Sequence, residues 1–282
     1  MTERFAAWGR AIRRIDGERA VAEELYQGGY WSVVRELPVV AATMGWHPQL
    51  WISSAGYGVV KSTKRVVPYS ATFAAGHADS VTKKPDDEVG LTRWWQCATS
   101  SRGRLGRSIT SIAESDPRST VLVLASPAYL MAMAKDLAAS QDEFKGRGAL
   151  FIVSSRLPGS EPVLENSWVP SRATLQDGLG GALVSLHARA ARHLLTAVPP
   201  REFLKENISL MSTNLEDQVG GGTTRTPGSA MSDDEVVAFI RARLKAEPKA
   251  THTRLLRDLR ESRRACEQGR FRRLFKQVKP AP

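Results

Sequence analysis

The hydrophobic positions of this chain fall into short apolar runs that alternate with longer helical segments. Residues 38–58 predict a helix or loop that leads into a strand near Trp51. Val121–Leu124 predicts a second strand, and Tyr129–Leu137 predicts the helix after it. Residues 146–156 predict a further strand, which is buried because its apolar run is unbroken. This alternation is typical of a mainly parallel α/β core.

Small and turn-forming residues follow the strand at Trp51. Ser53 and Ser54 precede Tyr57 and Gly58, so a tyrosine stands among residues that let another molecule approach the backbone closely. One interpretation is a ligand crevice, because open α/β sheets bind ligands beyond the carboxyl ends of their strands. The other interpretation is a tight turn with a packed tyrosine.

Two further segments carry polar residues next to apolar runs. Ser126 and Tyr129 lie just past the strand that ends at Leu124. A later segment starts with two glycines, continues through a short apolar stretch and becomes a helix that carries Arg189 and Arg192. These two arginines are three positions apart, so they share one helical face.

Composition indicates a soluble globular protein of 282 residues, 42% of them hydrophobic. Neither a membrane-spanning apolar run nor an apolar leader is recognisable, so we expect a cytoplasmic protein without a membrane partner. Cys97 and Cys266 are too few for a disulfide framework and lack metal-type spacing. The five histidines are scattered, so spacing selects no histidine base and predicts no metal site.

The positive charge is concentrated at the end of the chain. Residues 241–282 hold fourteen Lys or Arg against four Asp or Glu, a net +10 of the total +11. A stretch rich in Gly, Thr, Ser and Pro precedes this region and is typical of a linker. The expected organisation is therefore an α/β domain over residues 1–216, a linker over 217–231 and a basic helical unit over 232–282.

The basic unit has helix-turn-helix proportions. Ser232–Glu235 matches a capping box, and two further helices are predicted from about Thr253 and from about Ala265. The last of these helices carries the candidate DNA-binding residues Arg270, Arg272, Arg273 and Lys276. A basic helix of this kind is typical of a phosphate-backbone binder, whereas a merely solvated basic surface is the alternative.

Four motifs in succession resemble the YaaA superfamily. They are "SSAGYGVVKSTKRVVPYSATF", "LTRWWQCA", "VLVLASPAYL" and "ALVSLHARAARHLL", in the order in which that family has them. The resemblance spans roughly residues 39–196 and implies a mixed sheet with surrounding helices and a positively charged cleft associated with DNA. It implies that the cleft is lined by Ser53, Ser54, Tyr57, Gly58, Pro68, Tyr69, Ser126, Tyr129, Arg189 and Arg192.

The added basic unit resembles the DpdC type of this superfamily, which occurs with systems that insert 7-deazaguanine bases into DNA. That resemblance implies conversion of the 7-cyano group of an inserted base to the carboxamide, a nitrile hydration. The expected partners are modified DNA, duplex or single-stranded, and other proteins of such a modification system. No cofactor is expected, because the chain lacks both the phosphate-binding Gly-x-x-x-x-Gly-Lys-Ser/Thr run and a dinucleotide-binding glycine motif.

Nitrile hydration needs either an activated water or a nucleophile whose adduct water resolves. A thiolate would suit the second route, which makes Cys97 the candidate nucleophile with Tyr57 and Ser54 as catalytic partners. Cys97 follows Trp94 and Trp95, which could stack on an extruded base. It precedes three arginines that would favour the thiolate and contact DNA: Arg102, Arg104 and Arg107. The alternatives are a packed cysteine and core tryptophans.

Three functions therefore remain open from the sequence. The first is a DNA-modifying enzyme acting on the deazaguanine nitrile. The second is a non-catalytic DNA-binding protein, protective under oxidative stress. The third is an enzyme that acts on a free nucleobase or nucleotide, with the basic unit as a tether.

Overall fold

The computed structural model describes residues 1–84, 87–100, 105–220, 229–248, 250–262 and 264–279. The chain is of mixed α/β class and divides into two compact units, Met1–Gly221 and Gly222–Pro282. Within the described ranges, no helix is long and apolar enough to cross a membrane.

The described part of the first unit forms eight α-helices and seven strands. The helices are α1 (Thr2–Arg14), α2 (Gly29–Thr43), α3 (Glu88–Thr99), α4 (Ile109–Ser115), α5 (Pro127–Ser140), α6 (Gln176–Leu179), α7 (Leu186–Ala197) and α8 (Ile208–Val219). The strands are β1 (Ala20–Val21), β2 (Trp51–Ser54), β3 (Gly58–Lys61), β4 (Arg65–Val66), β5 (Thr120–Leu124), β6 (Ala149–Ser154) and β7 (Trp168–Pro170). Short 3-10 turns connect several of them.

A three-stranded parallel sheet of order β5-β6-β7 forms the centre of this unit. Every residue of β6 is buried, as its unbroken apolar run predicts. Leu150 and Ile152 pack in a cluster with α3 and α5, whereas Phe151 and Val153 pack in a second cluster with α7 and α8. The sheet therefore lies between two helical layers, and the predicted strand and helix around Val121–Leu124 and Tyr129–Leu137 are confirmed.

The strand at Trp51 belongs to a different arrangement. β2 pairs with β3 in an antiparallel hairpin, with Trp51 opposite Lys61 and Ser54 opposite Gly58. The expectation of a mainly parallel core thus holds for β5-β6-β7 and is wrong for this strand. Its carboxyl end is a hairpin turn, because Gly58 adopts φ +75°, a conformation that returns the chain directly into β3.

The short apolar stretch between the two glycines and the helix of Arg189 forms a 3-10 turn. Leu183–Ser185 forms that turn, and Leu183 and Val184 are exposed at 55% and 69%. α7 then begins at Leu186, so the predicted helix is present without a strand before it.

The second unit contains the short parallel pair β8 (Ser229–Ala230) and β9 (Arg264–Ala265) with three helices. The helices are α9 (Asp233–Ala246), α10 (His252–Glu261) and α11 (Gln268–Val278). Ser232 and Glu235 form the predicted capping box at the start of α9. The sequence predicts a linker from residue 217, whereas α8 continues to Val219. Residues 221–228 of the predicted linker lie outside the described residues.

One carboxylate joins three helices of the first unit. Asp136 on α5 accepts hydrogen bonds from the backbone N–H groups of Ile109 and Thr110 at 2.9 and 3.0 Å, which caps the start of α4. Its Oδ2 also accepts the indole N–H of Trp95 on α3 at 2.9 Å. A single side chain therefore satisfies donors that would otherwise lack partners in the core.

We expect Asp136→Ala to lower the free energy of unfolding by about 3 kcal/mol, because it leaves two helix-terminal N–H groups and an indole N–H unpaired. Denaturant unfolding followed by circular dichroism measures the change. Asp142→Ala, which removes an exposed carboxylate just beyond the same helix, is the control and should stay within about 0.5 kcal/mol of the parent. Equal losses in the two variants would contradict this role.

Candidate functional site

A cleft of about 1390 Å³ in the first unit is the candidate site. Its walls come from α2, β2, β5 with the turn after it, and the start of α7. Successive residues Trp51–Ser53 and Thr120–Ala125 all line it. Neighbouring side chains in a strand point to opposite faces of the sheet. A cleft that contacts every consecutive residue of a strand must therefore run along the edge of that strand. The cleft therefore lies between the open edges of β2 and β5.

Aromatic residues make up one part of the wall. The rings of Tyr26 and Trp31 stack at 4.5 Å, and the ring of Tyr30 lies 4.9 Å from the imidazole of His187. The hydroxyl of Tyr30 donates to the carbonyl of Leu124 at the end of β5, at 3.1 Å. This contact holds α2 against the strand and keeps the aromatic wall in place.

The titratable groups of this wall are uncharged near neutral pH. Burial lowers the pKa of the His187 imidazole from 6.5 to about 4. Burial also raises the pKa of Tyr129 to about 12 and the pKa of Tyr30 above its ordinary value of 10.0. The wall thus offers a neutral imidazole beside the ring of Tyr30, whose hydroxyl donates to Leu124, and a second protonated phenol at Tyr129.

Trp51 and two cations form another part of the wall. Lys61 Nζ lies 5.3 Å and the Arg107 guanidinium 5.6 Å from the centre of the Trp51 ring, within cation–π range. Arg107 also donates to Ser115 Oγ at 2.7 Å, which fixes its guanidinium against α4. With the other charged lining residues, Arg118, Arg147 and Asp116, the cleft has four cations and one carboxylate among its described residues.

Four of the predicted site residues line this cleft: Ser53, Arg107, Ser126 and Tyr129. Ser126 and Pro127 place the start of α5 at the cleft, and Tyr129 follows in the first turn of that helix. Ser53 and Arg107 line it from the other side of the strand gap. The polar residues that follow β5 therefore border the cleft, at the position along the chain that the sequence predicts.

The turn residues Ser54, Tyr57 and Gly58 form the packed alternative rather than the crevice. Tyr57 is 6% exposed and its hydroxyl donates to the carbonyl of Val67 at 3.0 Å. Ser54 is buried, and its Oγ accepts the backbone N–H of Tyr57 at 3.0 Å. Pro68 is exposed beside this turn and Tyr69 packs against the ring of Tyr57, and neither is among the cleft residues. The expectation that these residues line the cleft is corrected by their packing, and their catalytic assignment loses its geometric basis.

The aromatic pair on α3 is part of the core. Trp94 and Trp95 are 3% and 1% exposed, and their indole N–H groups donate to the Ala55 carbonyl and to Asp136. Neither ring presents a face to a base, so the stacking expectation is wrong. Cys97 packs partly buried against the same core cluster and is not among the described residues that line the cleft.

The remaining predicted cations of the first unit lie elsewhere. Arg192 pairs with Glu36 at 2.8 Å and so ties α7 to α2. Arg189 donates to Ser185 Oγ at 3.2 Å, one turn earlier on its own helix. Neither is among the cleft residues, which corrects their predicted position. Arg102 and Arg104 lie outside the described residues.

The second unit presents a basic face on α11. Arg272, Arg273 and Lys276 are exposed, and within the described residues they form no ion pair. With Gly269 they line an open groove along one side of the helix, opposite the buried Phe271 and Leu274. We call Arg272, Arg273 and Lys276 the basic face.

Arg270 differs from the other predicted cations of α11. Its guanidinium donates to Asp233 Oδ1 at 2.5 and 2.6 Å, and so ties α11 to the start of α9. Its guanidinium is therefore engaged within the unit, and its predicted contact with DNA stays a prediction. Cys266 is buried just before the helix, in the core of the unit.

Sequence reasoning missed the aromatic wall. Tyr26, Tyr30 and Trp31 stand in "YQGGYW", where aromatic residues flank two glycines at the start of α2. The spacing of Tyr26 and Tyr30 is the local signal that could have found them. His187 carries no such signal, because only the fold brings it beside Tyr30.

No family model, curated protein or solved structure matches the chain. Among the described residues, no group of three or more His, Cys, Asp and Glu side chains is placed to hold a metal ion.

The buried His187 predicts a pH dependence of stability. Below about pH 6.5 the unfolded chain takes up a proton at this residue that the folded chain binds only near pH 4. The free energy of unfolding should therefore fall as the pH is lowered from 6.5 to about 4, by about 2 kcal/mol for this group. Urea unfolding at pH 7.5 and pH 4.5 should show a smaller fall in His187→Gln than in the parent. An equal fall in both would contradict the prediction.

Proposed function

We propose that the protein binds DNA through the basic face of α11 and hydrates the nitrile of 7-cyano-7-deazaguanine within that DNA, using the cleft of the first unit. The observation that supports the reaction best is the cleft lining, where the neutral imidazole of His187 lies 4.9 Å from the Tyr30 ring and the protonated phenols Tyr26 and Tyr129 line the same cleft. The substrate and the reaction come from the resemblance to DpdC-type proteins.

The basic face supports DNA binding. Arg272, Arg273 and Lys276 lie at positions i, i+1 and i+4 of α11, so their cationic groups project from one side of the helix. Free cations on one helix face can neutralise neighbouring phosphates and release counterions. Residues engaged in ion pairs within the unit, such as Arg270 and Arg254, contribute less to such contacts.

The cleft supports a base as the bound group. Its volume is above the range of about 300–1,000 Å³ that is common for small-molecule sites, so an extruded base with its sugar fits within it. Stacked Tyr26 and Trp31 and the exposed Leu183 and Val184 supply apolar surface for a planar ring. The cations at Trp51 favour a substrate that carries phosphate.

The groups of the wall can carry the hydration with balanced atoms. The ring nitrogen of neutral His187 accepts a proton from water as the water oxygen bonds to the nitrile carbon. A phenol donates a proton to the nitrile nitrogen and becomes a phenolate. His187 then returns the proton that it took from water to this phenolate, directly or through a solvent molecule, which restores both groups. The resulting imidic acid shifts one proton from oxygen to nitrogen and becomes the carboxamide. One water is consumed, and no electron is gained or lost.

A non-catalytic DNA-binding protein is the second candidate function. The basic face favours it, because these cations would bind phosphates whether or not the cleft performs chemistry.

The first prediction of this proposal concerns affinity. Replacing Arg272, Arg273 and Lys276 together by Gln should lower DNA affinity on the order of tenfold to a hundredfold near physiological salt. It should also reduce the slope of log K against log salt by about 2 to 3, because up to three phosphate contacts are lost. Fluorescence anisotropy across a salt titration measures both quantities.

The matched control removes the same charge from α9. Arg241→Gln, Arg243→Gln and Lys245→Gln in one chain should change the slope by less than half as much, if α11 makes the phosphate contacts. Equal losses of DNA affinity in the control variant and the α11 variant would contradict specific phosphate contacts by α11. Such a result would indicate that DNA is attracted only by the net charge of the unit.

The second prediction concerns the reaction. Incubation with DNA that carries 7-cyano-7-deazaguanine should add one water per modified base, as mass spectrometry of the digested DNA detects. His187→Gln should slow this conversion at least about a hundredfold, since general-base catalysis contributes on that order. Cys97→Ser should keep most of the rate, because Cys97 packs away from the cleft.

His193→Gln is the matched control, because His193 stands on the same helix and its ring contacts Gln218 instead of the cleft. It should react like the parent. No mass change with abundant enzyme would remove the enzymatic function and leave DNA binding as the second candidate. Conversion of the free base alone, and not of DNA, would favour an enzyme of free nucleobases.

A further inference from the structure

Ser54 begins a hydrogen-bond chain whose direction can be assigned. Its Oγ accepts the backbone N–H groups of Gly56 at 3.2 Å and Tyr57 at 3.0 Å. A serine hydroxyl has two lone pairs and one proton. Both lone pairs are engaged, so the Ser54 proton is donated to the remaining neighbour, the hydroxyl of Tyr69 at 2.5 Å.

The same count extends the chain to Tyr26. The Tyr69 oxygen accepts from Ser54, and its own proton is directed to the Tyr26 oxygen at 2.7 Å. The Tyr26 oxygen then accepts from Tyr69. The Ser54 hydroxyl also interacts with Tyr26, but its two lone pairs are engaged by backbone N–H groups, so it does not take up the Tyr26 proton. Tyr26 lines the cleft, so its proton is available to a bound molecule.

Packing keeps this chain in one arrangement. The ring of Tyr26 stacks on Trp31, and Tyr69 contacts the ring of Trp8 edge to face at 6.0 Å. Gly56 is required for the approach, because a Cβ there would lie 2.7 Å from the Tyr69 ring. Burial raises the pKa of both Tyr26 and Tyr69, so both phenols stay protonated at neutral pH.

We propose that the Ser54–Tyr69–Tyr26 chain makes Tyr26 a one-way hydrogen-bond donor in the cleft, which selects ligands that present an acceptor. Resting on the proposed function, the acceptor is the nitrile nitrogen of the modified base. A ligand with a C–H group at that point meets the Tyr26 proton and gains no hydrogen bond from it. Tyr26 is then the specificity-determining residue, and Ser54 and Tyr69 position its proton.

Two nearly isosteric probes test this selection. 7-Cyano-7-deazaguanine and 7-ethynyl-7-deazaguanine, placed in otherwise identical oligonucleotides, both carry a linear substituent. The first ends in an acceptor nitrogen and the second in a C–H group. We expect the full-length parent to bind the cyano probe about tenfold more tightly, in line with the loss of one hydrogen bond in a site built around it.

The variants separate orientation from packing. Tyr26→Phe should abolish the preference, and Tyr69→Phe should reduce it to about twofold, because the Tyr26 proton then loses its fixed direction. Tyr57→Phe is the matched control; its hydroxyl donates to the carbonyl of Val67 and Tyr57 is not among the cleft residues, so the preference should persist. A ratio of two affinities on one protein sample is independent of the folded fraction.

The outcomes distinguish this inference from the proposed reaction. A cyano preference that disappears in Tyr26→Phe, without any hydration of the nitrile, supports the donor chain and removes the enzyme. Hydration with equal affinity for both probes overturns the donor chain and keeps the enzyme. A preference that survives in Tyr26→Phe, or binding of neither oligonucleotide, also overturns it.

Discussion

The burial of β6 on both faces is the constraint on which the first unit depends. Its alternate side chains must be covered by two separate helical layers, and its two edges are paired with β5 and β7. β5 is thereby left at the edge of the sheet, with its outer backbone groups facing β2 across a gap. The cleft follows from this arrangement, because an unpaired strand edge needs polar partners or solvent beside it. Tyr30 supplies one such partner at Leu124.

The elements whose signals are local could be predicted from the sequence. A few neighbouring residues are enough to predict each of three such elements: the strand at Ala149–Ser154, the turn at Ser126 and the capping box at Ser232. The hairpin after Trp51 could not be separated from a strand-end crevice, since Gly58 and its neighbouring small residues serve both equally well. What decides is the pairing of β2 with β3, a contact that the residue types do not specify.

Residue types specify the candidate site even less than they specify the hairpin, because its residues depend on contacts between distant parts of the chain. Trp94 and Trp95 have the chemistry to stack on a base, and only the position of α3 against the sheet makes them core residues. His187 has no distinguishing neighbours in sequence, and burial between elements far apart in the chain gives it a depressed pKa. Chemistry at this site therefore depends on environment more than on residue type. In the proposed reaction, an imidazole and phenols take the place of the thiol, because Cys97 is not among the cleft residues.

The direction of a hydrogen bond between two hydroxyl groups does not follow from the identity of the residues in the cleft. A phenol can donate or accept, so an aromatic wall alone would bind acceptors and donors alike. Two backbone N–H groups in the hairpin turn occupy the lone pairs of Ser54, so Ser54 donates its proton to Tyr69. Tyr69 in turn donates its proton to Tyr26. In the proposed recognition, the packed turn would therefore take part without touching the ligand. Affinity for DNA, by contrast, would come from the basic face and fall with salt, while recognition at Tyr26 is buried and screened far less. The two contributions can therefore be separated by ionic strength alone.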